Sequence, residues 1–304
     1  MFERVKRKIE GERYSESILW RSAVAGKDAA YRAAMHLSRQ LGGMRHFLYA
    51  KGAFSTERYE LPDFLGIGAR RSATTWLDNV LRLHPGLFLP SERKEVRFFD
   101  SHFHRSLAWY SRFFEAGRGK LKGELSPDYL TLSPRIIGKI RELIPRVRLF
   151  VILRNPITRA WSDALMHFTL VKKIAAEEVP LEALCKRLMS KSFRLRGDYP
   201  RCLENWLGFF PEEQIFIGYY EDVLKRPKEL LQSIFSHLGT SSAEFVWGKA
   251  HLRSKVNAAK KVTMRKEHYD LLYELHAEHI KDLFKQLGNP IIKEWLREKP
   301  YQSS

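Results

Sequence analysis

The sequence predicts an α/β protein in which a central parallel sheet is covered by helices on both faces, in three layers. Short apolar runs typical of buried strands occur at FLGI, RLFVIL and QIFIGYY. A segment with helical periodicity follows each run, and strands that alternate with helices favour a parallel sheet. With 304 residues and 44% hydrophobic residues, the chain is long enough to bury such a core.

The chain is predicted to have two parts, residues 1–60 and residues 61–304. The first part is basic and helix-prone, and its clearest helical stretch, AAYRAAMHLSRQLGG, is closed by two glycines. We interpret it as an extension that packs on the main domain or on a partner, with a helix lying on a membrane surface as the alternative. The second part is expected to hold the sheet.

The elements of the second part follow in order along the chain. FLGI leads through a loop of small residues into a helix over TTWLDNVLRL. RLFVIL, residues 148–153, is the next strand, and a proline precedes the helix ITRAWSDALMHF. CLENWLGFF is a helix that ends at Pro211, QIFIGYY is a strand, and PKELLQSIFSHLG is a helix closed by Gly239. A long amphipathic helix, EHYDLLYELHAEHIKDLFKQLG, lies near the end. Ligands are expected beyond the carboxyl ends of the strands.

The formal charge of +18 indicates either an anionic partner or a basic solvated surface that serves solubility. Fields of this sign attract nucleotides, nucleic acids, acidic polysaccharides or a membrane surface. The two cysteines, Cys185 and Cys202, lack metal-ligand spacing, and we expect both to be reduced and structural. The first residues are charged where a signal peptide needs its apolar stretch, and no run of 18 apolar residues occurs. The sequence therefore predicts a cytoplasmic protein.

The loop GARRSATTWL between the first strand and its helix indicates a phosphate site. A Walker A loop reads G-x-x-x-x-G-K-[ST], but here Ala73 replaces the second glycine and Thr74 stands in place of the lysine. The amides of residues 71–75 can still converge on an anion at the helix N-terminus, and Arg70 and Arg71 supply positive charge. The loop is P-loop-like without the lysine of a nucleoside triphosphate site.

The end of the strand RLFVIL indicates a second anion site. Arg154 follows this strand, and Ser162 comes eight residues later on the next helix. A guanidinium at a strand end and a hydroxyl two turns into a helix can clamp a separate phosphate. An ATP and magnesium site would need an aspartate there instead, so we expect two anion sites and no metal. His102 and His104 are interpreted as loop residues, since the sequence offers no third ligand beside them.

These motifs together resemble those of sulfotransferases that use 3′-phosphoadenosine 5′-phosphosulfate (PAPS). GARRSATTWL resembles the 5′-phosphosulfate loop, and ILRNPITRAWSDAL resembles the 3′-phosphate motif. KEVRFFD, residues 94–100, is similar to the carbohydrate branch, typified by heparan sulfate sulfotransferases. WYSRFF, ELSPDY and GDYPRCLENWLGFFP add similarity in the same order, so the resemblance covers roughly residues 62–290.

The resemblance implies that PAPS is the sulfuryl donor and that no metal takes part. The implied acceptor is a hydroxyl or amino group of a glycan, a glycolipid or a small natural product. Glu95 is the implied general base, and Arg71 the implied second catalytic group. The implied nucleotide contacts are Arg70, Arg71, Ser72, Ala73, Thr74, Thr75, Arg154, Ser162, Lys260 and Lys261. Arg97 and Asp100 either contact the acceptor, orient Glu95 or form a structural salt bridge.

Three positions depart from the family pattern. Arg71 and Ala73 replace a lysine and a glycine in the loop, and Leu125 stands where the carbohydrate branch often has a lysine. Two other functions fit parts of the sequence, namely a P-loop-like kinase and a basic nucleic-acid-binding protein. The missing Walker lysine counts against the kinase. The lack of aromatic residues interleaved with basic ones counts against nucleic acid as a partner.

Overall fold

A computed structural model of the chain describes residues 58–171, 173–174, 178–188, 190–250, 252 and 264–298. Most of the predicted N-terminal extension lies outside the described residues, as do Lys260 and Lys261. Among the described residues, no helix has the length and apolar character needed to cross a membrane. The cytoplasmic location stays a prediction.

A five-stranded sheet forms the centre of the described part of the chain. The strands are β1 Phe64–Gly68, β2 Leu87–Phe88, β3 Leu121–Leu125, β4 Arg148–Leu153 and β5 Ile215–Tyr219. Their order across the sheet is β2-β3-β1-β4-β5, and every pairing is parallel. The predicted α/β class with a central parallel sheet is confirmed.

Helices lie on both faces of this sheet. Their bounds are α1 Thr74–Leu81, α2 Leu107–Ser111, α3 Pro134–Leu143, α4 Pro156–Met166, α5 Leu181–Leu188, α6 Lys191–Leu195, α7 Tyr199–Leu207, α8 Tyr220–Lys225, α9 Pro227–Leu238, α10 Lys266–Leu287 and α11 Pro290–Arg297. One π-helical turn, His167–Val171, extends α4.

Two apolar clusters fill the space between sheet and helices. Leu149 and Val151 of β4 belong to the cluster that α3, α4, α7 and α10 cover. Phe150 and Ile152 belong to the opposite cluster, which α1 and α9 cover. Neighbouring residues of β4 thus serve opposite faces, as the alternation of side chains along a strand requires. This arrangement is the predicted three-layer architecture.

The predicted strands at 64–67, 148–153 and 214–220 correspond to β1, β4 and β5. The helices α9 and α10 end at Gly239 and Gly288, where φ is 74° and 66°. This left-handed conformation is costly for residues with a Cβ atom, which explains why glycine closes both helices. Cys185 and Cys202 are free thiols, and Cys202 is buried.

The strand β3 was not predicted, because its sequence LKGEL is polar. Glu124 is nevertheless 1% exposed within the sheet. Gly123 is required because a Cβ atom at this position would overlap the ring of Phe64 on β1. β3 pairs directly with β1, so the segment that follows it lies next to the loop between β1 and α1.

Candidate active site

The loop between β1 and α1 has the backbone geometry of an anion-binding turn. The Ser72 N–H donates to the Ala69 carbonyl at 3.1 Å, which closes the loop on itself. Arg71 and Ala73 both adopt left-handed conformations, with φ of 75° and 60°. The first-turn amides of α1, beginning at Thr74, lack acceptors within the helix, as at any helix N-terminus. They carry the positive end of the helix dipole, which favours negative charge at this position.

This loop forms one wall of a cavity of about 390 Å³. The cavity is lined by Arg70, Arg71, Ala73, Thr74, Thr75, Trp76, Glu95, Arg97, Pro127, Asp128, Arg154, Ser162, Met166 and Tyr220. The lining contains four arginines and two carboxylates, so its charge suits an anionic ligand. The structure therefore brings together most of the residues that the sequence singled out.

Arg154 connects the second predicted anion site to the loop. Its Nη1 donates to the Arg71 carbonyl at 3.0 Å, and its Nε donates to Thr158 Oγ1 at 3.3 Å. Its guanidinium lies 4.5 Å from the ring centroid of Tyr220. These contacts fix the guanidinium at the end of β4, beside the same cavity that Ser162 lines.

Arg71 brings an unsatisfied donor to the cavity. Its Nε is buried and has no hydrogen-bond partner among the described residues. Burial lowers the pKa of the Arg71 guanidinium, although the charge of Asp163 opposes this effect. Buried polar groups in folded proteins are nearly always paired. An anion in the cavity would lie beside the Arg71 guanidinium, whose positive charge favours it.

Arg70 is held by two carboxylates, Asp128 at 3.0 Å and Asp163 at 3.4 Å. Asp128 also pairs with Arg196 at 3.0 Å and with Arg97 at 3.4 Å. Burial acts to raise the pKa of Asp128, but the surrounding arginines outweigh it and lower the pKa. The result is a network of arginines and aspartates, of which Arg70, Arg97 and Asp128 line the cavity. No local sequence pattern points to Arg196, since its partner Asp128 is 68 residues away.

Two predicted site residues in the described part of the chain, Ser72 and Asp100, do not line the cavity. Ser72 is 0% exposed, and its Oγ has no hydrogen-bond partner in the described part of the chain. Asp100 accepts from Arg97 Nε at 3.0 Å and from Nη2 at 2.6 Å, so it forms the salt bridge that was one of three alternatives for this pair. Lys260 and Lys261 lie outside the described residues.

Glu95 occupies the cavity wall in a half-buried position. Burial raises its pKa, and the nearby charges of Lys94 and Arg97 moderate the rise. Lys94 Nζ donates to Thr75 Oγ1 at 2.5 Å. An ammonium group from the Glu95 segment therefore reaches the first turn of α1. In sequence, Lys94 was only a charged neighbour of Glu95.

The residues beside Glu95 alternate between cavity and core. Arg97 lines the cavity with Glu95, whereas Val96 and Phe98 are both 0% exposed. Phe98 stacks on Tyr110 with ring centroids 4.3 Å apart. Phe99 is also buried, with 2% of its surface exposed, so both rings pack in the core.

Leu125 brings no charge to the cavity. It is 1% exposed and belongs to the apolar cluster under α1 and α9, on the face of β3 opposite Glu124. Among the described residues, no group of three or more His, Cys, Asp or Glu side chains could hold a metal ion. His102 packs on Trp109, with ring centroids 5.3 Å apart.

Comparison with known proteins identifies the family. The family model of the sulfotransferase domain matches residues 61–289, about three quarters of the chain. This chain belongs to the sulfotransferase domain family. The sulfotransferase assignment takes the place of the two alternatives, a kinase and a nucleic-acid-binding protein.

The chain resembles enzymes of the carbohydrate branch of this family. It is 26% identical over 283 residues to human bifunctional heparan sulfate N-deacetylase/N-sulfotransferase 2, covering 80% of this chain and 32% of that protein. It is 30% identical over 184 residues to mouse heparan sulfate glucosamine 3-O-sulfotransferase 3B1, covering 59% of this chain and 46% of that protein. The chain thus spans less than half the length of each of these relatives. The predicted resemblance to the carbohydrate branch is confirmed.

A solved sulfotransferase from Alicyclobacillus acidocaldarius has the same fold. The TM-score is 0.60 at 23% sequence identity, and the match covers 78% of this chain and 99% of the other. This similarity supports the fold independently of the sequence motifs.

Proposed function

We propose that this sulfotransferase moves a sulfuryl group from PAPS to a hydroxyl or amino group of a carbohydrate or glycoconjugate. The proposal rests on one observation. The loop between β1 and α1, the pair Arg154 and Ser162, and Glu95 all line the same cavity. Two relatives are named for N- and 3-O-sulfation of heparan sulfate, which supports a carbohydrate acceptor.

The residues present fit a nucleotide with two separate anionic groups. The first-turn amides of α1 and the unpaired Nε of Arg71 suit the 5′-phosphosulfate. Arg154 and Ser162 suit the 3′-phosphate, because Arg154 is held at the end of β4 beside the loop. When bound, PAPS supplies the sulfuryl group together with a nucleotide leaving group.

Glu95 is the proposed general base. A carboxylate in the cavity wall can accept the proton of the acceptor as the acceptor attacks. Burial raises the pKa of Glu95, which makes its carboxylate a stronger base than an exposed glutamate. The neighbouring Arg97, oriented by Asp100, is proposed to hold the acceptor beside it.

Lys94 and Arg71 are proposed to stabilise the negative charge that develops on the leaving group. Positioned cations in a cavity of this kind act where charge grows in the transition state. A lysine ammonium is a compact charge on a flexible stem, whereas an arginine is a planar fork. Arg71 and Leu125 stand where the family pattern has lysines. We propose that Lys94, which contacts Thr75, provides the ammonium group instead.

Calorimetry with 3′,5′-bisphosphoadenosine (PAP) and AMP tests the nucleotide assignment. PAP should bind at least about tenfold more tightly than AMP, since a charge-assisted hydrogen bond contributes roughly 1.5–3 kcal/mol. Replacing Arg154 by alanine should remove most of this difference. Equal affinities for the two nucleotides would contradict the role of Arg154 and Ser162.

Transfer of label from PAPS to a panel of acceptors tests the substrate class. The panel should contain N-unsubstituted and N-substituted glucosamine oligosaccharides, a glycolipid and a small phenol. We expect transfer to the sugars. Transfer to the phenol alone would contradict the carbohydrate assignment.

A further inference from the structure

We propose that Glu124 is a positioning residue that fixes the backbone of the Glu95 segment, residues 94–100. This inference rests on the proposed function in one respect, namely that Glu95 is the general base. Glu124 does not line the cavity and is 1% exposed, so it would act only through the segment it holds.

Both carboxylate oxygens of Glu124 accept hydrogen bonds from protein groups. Oε2 accepts from the backbone N–H of Val96 at 3.0 Å and of Arg97 at 3.3 Å, and from Ser126 Oγ at 2.6 Å. Oε1 accepts from the phenols of Tyr110 at 2.7 Å and Tyr129 at 2.9 Å. Five donors therefore converge on one buried side chain, and two of them are the amides that directly follow Glu95.

The two hydroxyl groups nearest the segment are oriented by its backbone. The Arg97 N–H also donates to Ser126 Oγ at 3.1 Å, and the Phe99 N–H donates to the phenol oxygen of Tyr129 at 3.2 Å. Each hydroxyl thus accepts a hydrogen bond from a main-chain amide and donates one to Glu124. A carboxylate can accept from all of these donors at once, because it presents lone pairs and no hydrogen.

The backbone that this network holds is strained. Arg97 has a φ of 57°, in the left-handed region that residues with a Cβ atom seldom occupy. Such conformations persist where surrounding contacts over-determine them, and they cluster at functional sites. Here the Arg97 N–H is shared between Glu124 and Ser126. This turn places Glu95 and Arg97 in the cavity while Val96 points into the core.

The position of Glu124 follows from the sheet. β3 pairs in parallel with β1, so its carboxyl end lies beside the phosphate loop. Glu124 and Ser126 are two residues apart and share a face, while Leu125 points to the opposite cluster. The turn Pro127–Thr131 then brings Tyr129 under the same segment. Three residues of the ELSPDY motif, Glu124, Ser126 and Tyr129, thus accept hydrogen bonds from the backbone of the Glu95 segment.

The test compares Glu124→Leu with Glu124→Gln. Leucine removes all acceptors, whereas glutamine keeps one oxygen for the amides of Val96 and Arg97 and can turn its NH₂ group toward the tyrosine oxygens. We expect kcat to fall on the order of 10²-fold in Glu124→Leu, since a misplacement of about 1 Å has this effect, and to recover largely in Glu124→Gln. The Kd for PAP should stay within about twofold in both.

Leu231→Ala is the matched control. Leu231 is 0% exposed in the cluster on the opposite face of the sheet, so its truncation lowers stability without touching the segment. The kcat values should be measured at a temperature well below the Tm of both variants. An equal fall of kcat in Leu231→Ala and Glu124→Leu would overturn the positioning role. If Glu124→Leu does not fold, the same measurements are made on Ser126→Ala and Tyr129→Phe. Each of these variants removes one hydroxyl that bridges Glu124 and the segment.

A double-mutant cycle with Glu95→Gln separates this inference from the proposed function. A residue that acts partly through Glu95 loses that part of its effect once Glu95 is gone, so the two losses in kcat should be less than multiplicative, and any remaining effect passes through Lys94 and Arg97. Independent, multiplying losses would overturn the inference. Normal turnover of Glu124→Leu beside an inactive Glu95→Gln would overturn it while leaving the proposed function intact. Normal turnover of Glu95→Gln would instead overturn the base assignment and the inference with it.

Hydrogen exchange gives a readout that does not depend on activity. Amides in the peptide that contains residues 94–101 should exchange faster in Glu124→Leu than in the wild type and in Leu231→Ala. Unchanged protection of this peptide would overturn the proposal.

Discussion

Glu95 is the residue on which the proposed chemistry depends. Glu95→Gln keeps the shape of the side chain but cannot accept a proton, so kcat should fall by roughly 10²–10⁴-fold. The affinity for PAP should barely change, because its contacts lie on other residues. Steady-state kinetics with labelled PAPS measures the loss, and the exposed neighbour Glu92, changed to glutamine, is the control. Near-normal turnover of Glu95→Gln would refute the assignment.

Lys94 should affect both the rate and its pH dependence. Burial raises the pKa of Glu95 and the charge of Lys94 opposes this rise, so Lys94→Met should raise the pKa further. A general base must be ionised, and kcat therefore falls as the pH drops through this pKa. We expect the acid limb of the kcat profile to move to higher pH in Lys94→Met. The plateau should fall by about 10²-fold, the typical effect of losing one transition-state donor.

The exposed Arg93→Met variant controls for the loss of one positive charge near the site. An acid limb at the same pH in Lys94→Met and the wild type would show that Lys94 does not act on Glu95.

Among the elements, β3 has the tightest steric requirement. A Cβ atom at Gly123 would overlap the Phe64 ring, whereas one at Gly248 would meet no atom within 4 Å. Gly123→Ala should therefore lower the free energy of unfolding by about 1–3 kcal/mol, the usual effect of overpacking a core. Urea unfolding measures it, and Gly248→Ala should leave stability nearly unchanged. Equal stability of the two variants would mean that the β1–β3 contact adapts freely.

The helices and strands that could be predicted are those whose pattern is local. β4 is a continuous apolar run, and α9 and α10 carry both a helical period and a closing glycine. β3 could not be predicted, because Glu124 and Gly123 are unfavourable in a strand unless distant partners supply hydrogen bonds and space. Those partners are Tyr110 and the Phe64 ring.

For the whole molecule, His276 should make stability depend on pH. Its ring is 1% exposed, and both ring nitrogens lack hydrogen-bond partners among the described residues. Burial, with the charge of Arg159, holds the pKa of His276 well below its usual value. The unfolded chain takes up a proton below about pH 6.5 and the folded chain does not, so stability is complete above this pH and is lost as the pH falls.

His276 should lower the free energy of unfolding by roughly 1.4 kcal/mol for each pH unit between about pH 6 and pH 5. Urea unfolding at several pH values should show this slope as the difference between the wild type and His276→Leu. If the free energy of unfolding depended on pH in the same way in both proteins, His276 would not be the group responsible.

The sequence by itself determined the α/β class, and it singled out the loop after β1 and the two residues Arg154 and Ser162 that line the same cavity, because each depends on residues close together in the chain. It also singled out Glu95 through its segment. Only the tertiary structure decided what holds that segment, since Glu124 lies 28 residues from Val96 and 14 from Tyr110. The contact of Lys94 with Thr75 likewise spans 19 residues. These contacts follow from the strand order β3-β1-β4, which depends on packing across the sheet and is not encoded in any local pattern.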